Sequence, residues 1–125
     1  MVKLNGKKKL NVCIFISGRG TNLKSIIDFS KEKESPIKID LVITNNKNAK
    51  GINFAKKNNI KYIYINYKNV DKAEDKIIII LKKHNIDFIC LAGFMKILSN
   101  KIINIYKNKI LNIHPSLLPR YKGLN

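Results

Sequence analysis

Asn112 and His114 stand two residues apart at the close of an apolar run. If 109–113 is a β-strand, both side chains project to one face near its carboxyl end, while Ile113 projects to the other. One amide donor and one proton-donating imidazole are then aimed at a common point. Pro115 and Pro119 follow at once; neither has a backbone N–H, and both restrict the chain, so the pair sits where a strand becomes a stiff loop. Open α/β sheets bind their ligands at such carboxyl ends. The end of this sequence therefore points to an enzyme's active site, of which the chain carries the beginning.

A second cluster lies near the amino terminus, where Ser17-Gly18-Arg19-Gly20-Thr21-Asn22-Leu23 leads from an apolar run into a helix start. Glycines let the backbone approach an anion closely, and free N–H groups at a helix amino terminus, with Thr21 and Asn22 beside them, supply donors for a phosphate. The spacing Gly-x-Gly-x-x-Leu lacks the third glycine of a dinucleotide fingerprint, and the next strand ends in Asn45-Asn46 instead of an acidic residue for a ribose. A monophosphate cradle fits better than NAD. A tight strand-to-helix turn with no ligand is the competing reading.

The third cluster is Leu91-Ala92-Gly93-Phe94-Met95-Lys96-Ile97-Leu98. Gly93 lets the chain leave the sheet sharply; as a loop, the segment forms an apolar wall with free backbone amides and carbonyls, suited to a flat heterocycle. Ordinary core packing of Phe94 and Met95 explains the same residues equally well.

The elements that must hold these clusters alternate. Runs rich in β-branched residues occur at 10–17, 37–44, 61–66, 87–92 and 109–113 and read as strands, with stretches of helical length between them. The first helix begins near Thr21 and turns Leu23, Ile26 and Ile27 inward, with Ser35-Pro36 in its exit loop. The second covers 49–58, with Ile52 and Ala55 inward. A third starts at Asp71, where Asp71-Lys72-Ala73-Glu74 has capping-box spacing, and Ser99 caps a fourth over 100–106. Continuous apolar strands indicate a mostly parallel sheet with helices on both faces and right-handed crossovers: an α/β, Rossmann-like class.

The 125 residues amount to one domain with a sizeable core. The net charge of +17 invites a nucleic-acid reading, but 23 of the 25 basic residues are lysine, and Lys, Ile and Asn together make 63 of 125 residues. Adenine- and thymine-rich codons account for scattered lysines more simply than a binding face does, and a nucleic-acid reader would use arginine forks. The one dense basic run, Lys7-Lys8-Lys9, precedes the first strand. Cys13 and Cys90 lie in separate apolar runs without metal-ligand spacing, and read as buried reduced thiols of a cytoplasmic protein. No metal is expected, and no run approaches a membrane span. His84, beside Lys82 and Lys83, reads as a solvated helix-tail residue, and Ser116 as a hydroxyl capping a turn.

Taken together, the 17–23 loop, Leu91-Ala92-Gly93-Phe94-Met95-Lys96-Ile97-Leu98-Ser99 and Leu111-Asn112-Ile113-His114-Pro115-Ser116-Leu117-Leu118-Pro119 resemble the phosphoribosylglycinamide formyltransferase family in motif, order and spacing. The resemblance implies that Gly20, Thr21 and Asn22 hold the phosphate of glycinamide ribonucleotide. It implies that Met95, Lys96, Ile97, Leu98 and Asn112 line the pocket for 10-formyltetrahydrofolate, the formyl donor. It makes Asn112 and His114 the catalytic pair. Methionyl-tRNA formyltransferases and formyltetrahydrofolate hydrolases share the Asn-x-His and Leu-Pro segments, but the glycine-rich loop belongs to the ribonucleotide enzyme. The family orients its histidine with an aspartate further along, and this sequence stops at Asn125 before any match. The expectation is an amino-terminal portion of the enzyme, inactive or weakly active alone. A basic residue near the folate before the third helix is implied too, with Lys68 and Lys72 both open. A non-catalytic ribonucleotide-binding module and a basic nucleic-acid-binding domain are the alternatives from other classes.

Overall fold

A computed structural model describes residues 8–113. Its elements alternate as the periodicity predicts: β1 (Leu10–Ile16), α1 (Thr21–Ser30), β2 (Ile37–Thr44), α2 (Ile52–Lys57), β3 (Tyr62–Tyr64), α3 (Val70–Lys83), β4 (Phe88–Leu91), α4 (Asn100–Ile105) and β5 (Ile110–Asn112). The five strands form one sheet in the order β3-β2-β1-β4-β5, and every pairing is parallel. The chain builds outward from β1 through β2 to β3, then crosses back to lay β4 against the other side of β1. The carboxyl ends of β1 and β4 thus flank the point where strand order reverses, which is where sheets of this kind leave a crevice.

β1 is buried on both sides because alternate residues feed different cores. Cys13 and Phe15 join Leu41, Ile43, Ile77, Leu81 and Ile102 on the α3 and α4 face. Val12, Ile14 and Ile16 join Leu23, Ile26, Ile27 and Ala55 on the α1 and α2 face. Cys13 belongs to the first face and Cys90 to the second, so the sheet separates the two free thiols. Burial raises both thiol pKa values, that of Cys90 to about 11.

Four local readings need correction. The second helix starts at Ile52 with Gly51 as its cap position, because 49–51 form a turn. β3 is three residues long rather than six, an edge strand with Tyr62 and Tyr64 exposed. α3 is capped by Asn69, whose side chain accepts from the Lys72 N–H at 3.0 Å; Glu74 is drawn into the core instead of reaching back to Asp71. His84, at the end of α3, faces Asp40 with Nδ1 3.4 Å from Oδ2 and is half-buried instead of freely solvated. Ser99 does cap α4, accepting from the Lys101 N–H at 3.2 Å.

Candidate active site

The turn between β1 and α1 is shaped by contact between two backbones. Gly20 has φ +83°, a conformation costly to residues with a Cβ. A Cβ there would also lie 2.4 Å from the Cα of Gly51. The Gly51 N–H donates to the Gly18 carbonyl at 3.0 Å, so the loop rests on the start of α2. Gly20 is buried, whereas Gly18, Arg19 and Thr21 are exposed. No side chain caps α1, and its first-turn N–H groups are those a helix leaves without intrahelical partners. Asn22 reaches across to β5, its Nδ2 3.5 Å from the Ile113 carbonyl.

Ser17, buried at the end of β1, ties three loops together. Its hydroxyl donates to Asn45 Oδ1 and accepts from the Met95 N–H at 2.8 Å, and its carbonyl accepts from Asn46 Nδ2 at 3.1 Å. Asn45 and Asn46 therefore serve as loop braces. Neither Ser17 nor Gly51 stands out in the sequence: Ser17 is one hydroxyl inside a glycine motif, and nothing local marks Gly51 as the partner of Gly20.

The third cluster leaves β4 as a loop over 92–99, turned by Gly93 at φ +74°. It walls a cleft of about 660 Å³ that Asn112, Tyr106 and Lys107 close from the other side. The two readings of this segment divide by residue. Met95 and Ile97 are 78% and 90% exposed and are no part of the core, while Leu98 is buried. Phe94 serves both, lining the cleft and packing edge-on against Phe15 and Tyr67 at centroid distances of 5.2 and 5.8 Å. Among the described residues, no hydrogen bond uses the backbone N–H of Lys96, Ile97 or Leu98. Lys96 and Lys107 are the charged residues of the cleft, and neither forms an ion pair among the described residues.

Asn112 lines this cleft while Ile113 packs on the opposite, α1 face, as the alternation predicts. His114, Pro115, Ser116 and Pro119 lie outside the described residues. Thus Asn22 of the glycine loop reaches the β5 terminus from one side, and Met95, Lys96, Ile97 and Leu98 line the cleft with Asn112 on the other. No group of three or more potential metal ligands occurs among the described residues, and no helix there is long and apolar enough to cross a membrane.

Residues 10–125 match the formyl transferase family. The chain is 43% identical over 122 residues to the human trifunctional purine biosynthetic protein adenosine-3, covering 95% of this chain and 12% of that protein. It is 44% identical over 117 residues to phosphoribosylglycinamide formyltransferase of Haemophilus influenzae, covering 91% of this chain and 55% of that one. The crystal structure of phosphoribosylglycinamide formyltransferase from Brucella melitensis superposes with a TM-score of 0.83 at 37% identity, over 94% of this chain and 62% of that one. The chain thus spans a little over half the length of the single-function relative it matches. On the match across 10–125, and with a doubly wound sheet whose loops converge where its strand order reverses, this chain belongs to the formyl transferase family.

Proposed function

We propose that this domain, spanning 1–125 and corresponding to the amino-terminal part of a formyltransferase domain, serves transfer of a formyl group from 10-formyltetrahydrofolate to the amine of glycinamide ribonucleotide in purine synthesis. One observation carries the reading: Asn22 meets the carbonyl of Ile113, so the glycine loop adjoins the residue after Asn112, whose side chain lines the cleft. A phosphate held at Gly20, Thr21 and Asn22 and a heterocycle held at Met95, Lys96, Ile97 and Leu98 would approach each other at the end of β5. The positive charges of Lys96 and Lys107 suit an anionic folate. The names of the relatives, one a purine biosynthetic protein and the other a phosphoribosylglycinamide formyltransferase, support the same substrates.

In this reading the amine attacks the formyl carbon, a C–N bond forms, and the formyl oxygen becomes negative. The Asn112 amide and a protonated His114 donate to that oxygen. As the tetrahedral centre collapses, the bond to N10 breaks, one proton leaves the amine and one reaches N10. Histidine suits this relay because its ordinary pKa of about 6.5 leaves both forms accessible near neutrality. A cytoplasmic setting suits two thiols that stay reduced on opposite faces of the sheet.

The test is formyl transfer with purified protein, using the 125-residue chain alone and with the carboxyl-terminal segment of a relative supplied as a second fragment. Transfer at or near background alone, and restored with the fragment, is expected. A folded chain that binds neither glycinamide ribonucleotide nor tetrahydrofolate, and gains no activity from the fragment, would exclude the proposal.

A further inference from the structure

Glu74 is 1% exposed and pairs with no cation among the described residues. A carboxylate withdrawn from water is costly unless its oxygens are hydrogen-bonded. Here a single residue supplies both bonds: the Ser99 N–H donates to Oε2 at 2.8 Å, and the Ser99 hydroxyl donates to Oε1. Capping of α4 does not require this arrangement, because the Ser99 hydroxyl already accepts from the Lys101 N–H, and serine alone is a sufficient cap. The carboxylate acts on what precedes α4.

Ser99 ends the loop that walls the cleft. Four residues earlier, the Met95 N–H is held by the Ser17 hydroxyl at 2.8 Å. Between these anchors lie Lys96, Ile97 and Leu98, all lining the cleft and all with backbone N–H groups unused among the described residues. A three-residue stretch tied at both ends has little conformational freedom to lose when a ligand binds. The ring of Tyr67 packs edge-on against Phe94 of the same wall, and burial with the Glu74 charge raises its phenol to about 12.

We infer that Glu74 is a positioning residue of the cleft: through Ser99 it holds the backbone of Lys96, Ile97 and Leu98 ready for the edge of a planar heterocycle, and so sets affinity for the folate. This rests on the functional reading above and assigns a role within it to a side chain that never touches the ligand.

The test uses the 125-residue chain with Glu74→Leu, Glu74→Gln and Ser99→Ala. Amide hydrogen exchange is read residue by residue, and binding is measured with tetrahydrofolate and, separately, with glycinamide ribonucleotide. In Glu74→Leu, exchange at the Ser99 N–H, which Glu74 holds, should rise about tenfold or more, and the Met95 N–H at the other end of the wall should rise with it, while α1 stays within about twofold of the unsubstituted chain. Tetrahydrofolate affinity should fall about tenfold, the effect of losing one to two hydrogen bonds to a charged acceptor. Ribonucleotide affinity should change by less than about twofold, a local effect that loss of folding would not mimic. Glu74→Gln, which keeps an acceptor for the Ser99 N–H, should recover most of the folate affinity. Ser99→Ala should reproduce the selective loss if Glu74→Leu does not fold. Tetrahydrofolate affinity within twofold in the folded Leu or Ala variant, or exchange that rises uniformly over the whole chain, would overturn the inference. If the unsubstituted chain binds no tetrahydrofolate, the folate reading of the cleft fails, and exchange at the Met95 and Ser99 N–H groups still decides whether Glu74 positions the wall.

Discussion

The Cα of Gly51 lies 2.4 Å from where a Cβ on Gly20 would sit, too close for one to fit. The glycine loop is therefore a packing junction between α1 and α2 as well as a candidate phosphate cradle. Substituting Gly20 would test folding before it tested binding. Gly20→Ala combines a left-handed backbone penalty of about 1–2 kcal/mol with a collision against another backbone, which adds about 1–3 kcal/mol. A drop of several kcal/mol in urea-unfolding stability is expected. Gly18 is the cleaner probe, because a Cβ there meets nothing within 4 Å. Gly18→Ala should keep its urea midpoint and, if the loop cradles phosphate, bind glycinamide ribonucleotide more weakly; unchanged binding would count against the cradle.

Asn112 is exposed at the end of an edge strand, so its removal should cost little stability. In a fragment-complemented active protein, Asn112→Ala should lower kcat by about 10²–10³, the typical loss for one oxyanion donor, with a small change in KM. His114→Ala should be at least as severe. Near-normal kcat in either variant, measured at saturating substrates, would remove that residue from the proposed chemistry.

Ser17 offers a test of how the loops are braced. Ser17→Ala leaves Asn45 Oδ1 without its donor and the Met95 N–H without its acceptor. A stability loss of about 1–3 kcal/mol is expected from the stranded polar groups. Exchange at Met95 should rise as well. Ser17→Ala with Met95 protection intact would mean that the 92–99 loop is held by other contacts.

Alkaline pH should weaken the fold. Burial raises the Cys90 thiol from 9.0 to about 11, burial and Glu74 raise the Tyr67 phenol from 10.0 to about 12, and Cys13 also moves upward. In each case the folded chain favours the neutral form. The associated stability is fully present below the unfolded pKa and is lost as pH rises through the folded one. The urea midpoint should be level below about pH 8.5 and fall between about pH 9 and 11, with Cys90 alone contributing about 2–3 kcal/mol. Cys90→Ala should flatten part of that decline even if it lowers the midpoint at neutrality, and a midpoint independent of pH to 11 would contradict the buried thiols.

Much of this protein is legible from the sequence because the signals are local. Apolar runs of strand length alternating with helical spacing specify α/β, and strands without polar alternation specify a sheet covered on both faces. Leu23, Ile26 and Ile27 face inward on α1 because 3.6-residue periodicity leaves no other apolar side. Asn112 and Ile113 part to opposite faces because a strand has a period of two. The three motifs begin at strand ends, which the apolar runs themselves mark off. Only the tertiary structure decided which ends meet. Gly20 meets Gly51, Asp40 meets His84, and Glu74 takes both donors of Ser99 in place of the local capping bond its spacing suggests. Those partners are 25 to 44 residues apart in the chain. Their contacts follow from how the helices pack on the two faces of one sheet rather than from any short stretch of residues. A buried carboxylate finds its hydrogen bonds wherever that packing delivers donors, and here it delivered them to the wall of the cleft.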